Sequence, residues 1–119
     1  MRIKNEDLTT SSVDLTSNIT SDPVWLAHIA NYSVQVTVSG TPNGSFKLQG
    51  SNDFGGKDAS SSSITNWSDL SIEQVITASG SYMLSDANCG YKWVRLVWTN
   101  STSGGGSEIS SARFNVKGV

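Results

Sequence analysis

Between Tyr32 and Gly40 the chain reads YSVQVTVSG, with Tyr32, Val34, Val36 and Val38 on alternate positions against Ser33, Gln35 and Thr37. A period of two gathers these apolar side chains on one face of an extended strand, and no helix can do the same. The run ends at GTPNG, residues 40–44, where Pro42 and Asn43-Gly44 set a tight turn. SFKLQGS then resumes with Phe46 and Leu48 on one face, which predicts a hairpin with its turn at 41–44.

The same pattern recurs along the rest of the chain. SSVDLTSNI offers Val13 and Leu15 on one face. IEQVITAS sets Ile72, Gln74 and Ile76 opposite Val75, and GSYMLSD carries Tyr82 and Leu84. ISSARFNVKG turns Ala112, Phe114 and Val116 inward, and NSTSGGGSE, residues 100–108, reads as the flexible loop of a second hairpin. VWLAHIANY follows Pro23 and is read as extended. Residues 52–66 have no period and form a long surface loop. No stretch keeps a 3.6-residue period long enough for a substantial helix. The chain is therefore expected to be all-β: an antiparallel β-sandwich, jelly-roll-like, of about seven or eight strands. It forms a single domain over residues 13–119. Residues 1–12, MRIKNEDLTTSS, read as an N-terminal arm that either frays or orders against a neighbouring subunit.

Composition narrows the function. A chain of 119 residues can bury one core without a metal or a disulfide. The net charge of −2 gives no basis for coating nucleic acid, and no run approaches the ~20 apolar residues that cross a bilayer, so neither partner is expected. Cys89 stands alone, and no apolar run follows Arg2 and Lys4, so synthesis in a cytoplasm without a signal peptide is expected.

The catalytic inventory is thin. His28 is the only histidine, and no Ser or acid motif is placed to complete a triad with it. Cys89 sits in a turn between Asn88 and Gly90 and reads as an inert thiol. Asn52, Asp53 and Asp58 lack the spacing of a calcium loop. The expectation is a protein that is not an enzyme, with no catalytic residue, cofactor or metal site.

The run YKWVRLVWT carries the remaining signal. Alternation puts Val94, Leu96 and Trp98 on one face and Tyr91, Trp93, Arg95 and Val97 on the other, and neither face is polar. Such a strand is covered on both sides, or lies at a subunit contact. Trp98 is expected between the sheets beside Val36, Leu48 and Phe114. Trp93 is expected to be less buried in an isolated subunit, and Arg95 to rest on an aromatic ring or pair with a carboxylate such as Asp69. Trp25 and Trp67 either anchor loops or face a partner. Trp25, Trp67, Tyr91, Trp93 and Arg95 are thus the candidate interface or ligand-stacking residues.

The order FKLQGSNDFGG, TNWSDLS, GSYMLSD, YKWVRLVWT and ARFNVKG resembles the discoidin and galactose-binding-like jelly-roll signature. It is still more similar to small β-sandwich proteins of tailed-phage virions, over residues 32–117. The paired cysteines and exposed loop aromatics of sugar-binding discoidin domains are missing. The resemblance implies a non-enzymatic virion structural protein, either a capsid decoration (cement) subunit or a tail or fibre accessory protein. Such a protein is made in the host cytoplasm and carried in the virion, and its partners are capsid or tail subunits and copies of itself. The alternative is a discoidin-like carbohydrate-binding module that mediates surface attachment through a glycan.

Overall fold

The structure, a computed structural model, describes residues 3–7, 13–15, 17–26, 31–53, 64–87, 90–101 and 108–117. The described residues form ten strands: β1 (Ile3–Asp7), β2 (Val13–Asp14), β3 (Ile19–Thr20), β4 (Val24–Trp25), β5 (Asn31–Ser39), β6 (Gly44–Ser51), β7 (Ser68–Ile76), β8 (Gly80–Ala87), β9 (Trp93–Asn100) and β10 (Glu108–Lys117). No helix occurs among them.

The strands make two antiparallel sheets. In the first the order is β1-β10-β5-β8, with β2 also pairing β10; in the second it is β3-β9-β6-β7, with β4 also pairing β9. β1 and β2 lie along the same edge of β10, at Arg113–Lys117 and Glu108–Ile109. β3 and β4 likewise share one edge of β9. Taking each broken edge as one position leaves eight, ordered 1-8-3-6 and 2-7-4-5. That is the jelly-roll arrangement, in which every connection except the one between positions 4 and 5 crosses from sheet to sheet.

This topology corrects two expectations. β5 and β6 were expected to form a hairpin about residues 41–44, yet they belong to opposite sheets and do not pair. The turn residues do turn the chain, with Gly40 at φ 85°, a left-handed conformation suited to glycine. What they build is a crossover, because the two apolar faces meet across the core instead of side by side. The loop at 100–108 also joins opposite sheets. β6 and β7 are instead consecutive strands that pair within one sheet, joined through the long segment without a period.

The period-two reading of faces holds. Tyr32, Val34, Val36 and Val38 are buried, as are Phe46, Leu48, Ile76, Leu84, Ala112 and Phe114. Val94, Leu96 and Trp98 join them, and Trp98 shares one cluster with Val36, Leu48 and Phe114. Trp98 is 1% exposed, packs on Phe46 with ring centroids 4.7 Å apart, and donates its indole N–H to the Leu15 carbonyl at 3.0 Å. That bond ties the crossover between β2 and β3 to the core. The N-terminal arm is partly a strand, since residues 3–7 pair with β10 over five positions. The side chains of Val13 and Val116, and all of His28, Asp58 and Cys89, lie outside the described residues.

Candidate functional site

The outer faces of the two sheets differ in kind. On the first sheet Ser33, Gln35, Thr37, Ser81, Met83, Ser85, Arg113 and Asn115 point away from the core. On the second, β9 turns Trp93, Arg95 and Val97 outward, opposite Ser51, Gln49 and Lys47 of β6. Those residues have core-facing neighbours at every alternate position, so the pleat leaves them no other side.

Four of the five candidate residues meet on this second face. β4 runs beside β9 with Trp25 opposite Trp93, and the two rings pack at 5.0 Å with a 57° tilt. Trp93 is consequently 3% exposed, which corrects the expectation that it would be less buried in a single subunit. Its cover comes from Trp25, a residue distant in sequence whose strand is only two residues long. The Trp93 indole N–H is the one buried side-chain polar atom without a hydrogen-bond partner among the described residues.

Two positions along, the Arg95 guanidinium lies 4.2 Å from the centre of the Trp67 ring, within cation–π range. Trp67 is held in turn by its indole N–H, which donates to the Ile64 carbonyl at 3.1 Å. Arg95 donates through Nε to Gln49 Oε1 at 2.8 Å, and Gln49 Nε2 donates to Asp69 Oδ1 at 2.7 Å. Lys47 Nζ completes the row, 3.1 Å from Asp69 Oδ2. Arg95 therefore takes its expected aromatic ring directly and reaches Asp69 through Gln49. Donation from Gln49, then from Lys47, holds the Asp69 carboxyl below its ordinary value, and burial lowers that of Arg95, which stays charged.

Tyr91 is separated from this group. It precedes β9, and its ring packs over Gly50, where an added Cβ would meet the ring at 3.0 Å. Its hydroxyl donates to the Asp86 carboxylate and accepts from the Tyr32 hydroxyl at 2.6 Å, bridging the two sheets. Burial, with Asp86 and Tyr32 behind it, pushes the Tyr91 phenol well above its ordinary value. An open cleft of about 440 Å³ lies beside it, lined also by Asn52, Asp53, Asn66 and Ser68. The polar groups there largely serve the loop. Asp53 accepts from the Thr65 and Asn66 amides at 2.6 and 2.9 Å and from Asn66 Nδ2 at 2.9 Å, while Asn52 accepts from the Lys92 amide at 3.0 Å. Those bonds, the Asn66 side chain foremost, hold the Asp53 carboxyl below its ordinary value.

Sequence reasoning selected Trp25, Trp67, Trp93 and Arg95 by residue type and missed Gln49, the residue that links Arg95 to Asp69. Its signal was present, since Gln49 alternates outward between Leu48 and Gly50 on a strand whose other face is apolar.

No family model matches the sequence, and no curated protein matches it. Among solved structures, the chain is similar to the SPBc2 prophage-derived protein YomS, with a TM-score of 0.60 and 10% identity over 98% of this chain and 94% of that one. It is similar also to PirA, with a TM-score of 0.53 and 14% identity over 96% and 93%. A fainter likeness, at a TM-score of 0.44 and 12% identity, spans 96% of this chain and 26% of the CBM22–GH10 portion of Clostridium thermocellum endo-xylanase 10B. At these identities the likeness is one of fold.

Proposed function

We propose that the chain is a non-enzymatic structural protein of a phage virion, a capsid decoration or tail accessory subunit, which attaches through the outer face of its second sheet. The observation that carries this reading is the asymmetry of the sandwich. One outer face gathers Trp25, Trp67, Trp93 and Arg95, while the other presents mainly Ser, Thr, Gln and Asn. Trp25, Trp67 and Arg95 remain part-exposed over the buried Trp93 and are already held in place, and Trp and Arg are the residue types that dominate protein contacts. The shared fold with a prophage-derived protein over nearly the whole of both chains supports the same reading, as does the likeness of the motifs to small virion sandwich proteins. The partners are then capsid or tail subunits, and the site of action is the particle.

The test is to look for the chain in purified particles and to measure its rebinding to particles stripped of it. Trp67→Ala and Arg95→Ala should weaken rebinding without unfolding the sandwich. Particles that lack the protein overturn the proposal.

One observation favours a second reading, attachment to a glycan. Trp67 is a half-buried ring held by its indole N–H and stacked with Arg95, which joins it to the side-chain amide of Gln49 and so to the carboxylate of Asp69, and a sugar is recognised by an aromatic face with such groups at its rim. Binding of the free protein to immobilised glycans, lost in Trp67→Ala, would put that reading first.

A further inference from the structure

Each sheet has two edges, and three of the four carry a feature that discourages further pairing. The β1/β2 edge is divided into strands of five and two residues. The β3/β4 edge consists of two-residue strands with Pro23 between them. β7 carries Asp69 and Glu73, and its register with β6 shifts between Lys47 and Gln49. Breaks, prolines, bulges and charges are the devices by which open edges are kept from adding strands.

β8 has none of them except one charge. Its eight residues, GSYMLSDA, pair with β5 from Val38↔Gly80 to Asn31↔Ala87 without a shift in register. No described strand pairs with its other side. Asp86 is the single charge, and it is engaged by Tyr91. In the middle of the strand Met83 is 56% exposed, between the exposed Ser81 and Ser85. It is the one large exposed hydrophobic among the described residues of the first sheet.

We infer that β8 pairs antiparallel with β8 of a second copy of this chain, joining the two first sheets into one continuous sheet about a two-fold axis at Met83. The strand is complementary to itself in this register. Met83 faces Met83 of the second copy, Ser81 faces Ser85, Tyr82 faces Leu84, and Asp86 falls opposite Gly80, so no like charges meet. A slip of two residues sets Met83 against a serine, and a slip of one turns the second copy's core face outward. An extended strand of the same length with hydroxyls flanking a central apolar residue fits this edge on both backbone and side chains, and β8 itself meets that description. The contact is isologous, as in most closed dimers. It uses the edge of the first sheet and leaves the aromatic face of the second open, so it stands independently of the virion reading.

Sedimentation of the free protein over a range of concentrations tests it. Wild type should show a monomer–dimer equilibrium. Met83→Lys and Met83→Glu, at an exposed site, should each weaken association about tenfold or more with unchanged circular dichroism, because like charges then sit directly opposite. An equimolar mixture of the two variants should restore the dimer, which only a Met83–Met83 contact explains. Val75→Lys, the equivalent change on the exposed face of β7, should leave association intact. A wild-type protein that stays monomeric, leaving β8 to a foreign strand or to solvent, overturns the inference. So does a dimer that Met83→Lys leaves unaffected, a dimer that Val75→Lys weakens equally, or a mixture of variants that does not recover.

Discussion

Replacing Trp98 and Trp93 in turn by phenylalanine isolates the worth of one hydrogen bond inside this sandwich. Both indoles sit on β9 and are nearly fully buried, at 1% and 3% exposure, so each substitution removes a similar volume from a similarly dry site. They differ in one respect: Trp98 Nε1 donates to the Leu15 carbonyl, and Trp93 Nε1 donates to no described group. Trp98→Phe leaves a buried carbonyl without its donor, at a cost of about 1–3 kcal/mol beyond the loss of packing. Trp93→Phe removes a donor whose desolvation was never offset and so recovers a similar amount against the same packing loss. The two variants should therefore differ by at least about 2 kcal/mol, with Trp98→Phe the less stable. Trp98→Ala should cost about 3–5 kcal/mol, a large share of the ~5–15 kcal/mol that holds a domain together. Guanidinium unfolding read at constant denaturant slope measures all three. Equal losses for the two phenylalanine variants would refute the reasoning, because they would mean that the bond to Leu15 contributes nothing and the orphan donor costs nothing.

Gly44→Ala should destabilise the fold by about 3 kcal/mol, at the upper end of overpacking costs, because the new Cβ would lie 2.2 Å from the Thr99 carbonyl oxygen and 2.8 Å from the Trp98 ring; thermal unfolding measures it. The phenol of Tyr91 is raised above its ordinary 10.0, so its contribution is complete below that pH and is lost as pH rises through the folded value. Stability should fall in alkali, and Tyr91→Phe should flatten that slope. Asp53 and Asp69 are lowered from 3.8, so what they contribute is present above that pH and is lost as pH falls through their folded values. Protection of the Thr65 and Asn66 amides, taken relative to their intrinsic exchange rates at each pH, should fall in acid, and Asp53→Asn should produce the same fall at neutral pH.

Alternation told which side of each strand meets the core, and the buried set from Tyr32 to Phe114 follows it closely. It did not tell which strand lies beside which. Pro42-Asn43-Gly44 specify a reversal of the chain, and a reversal within one sheet looks the same in sequence as a reversal between two. The burial of Trp93 was hidden for a related reason. A strand apolar on both faces announces that something covers the second face, but the cover is Trp25 on a two-residue strand too short to carry a period. The stack of Arg95 on Trp67 was legible as chemistry, since a guanidinium among aromatics needs a ring or an acceptor. Gln49 escaped because a glutamine on an outer face is ordinarily only solvated.

The position of β10 has a consequence in time. It is the innermost neighbour of β1, β2 and β5, yet ribosomes make it after every other described strand. Until it emerges, β1 and β2 have no partner and β5 shows one bare side, so the first sheet exists only as the β5–β8 pair. The nascent chain cannot lock into its sandwich progressively from the amino end. Folding should be a single late event with slow, long-distance pairing, and nascent chains stopped before Glu108 should be the species that aggregate.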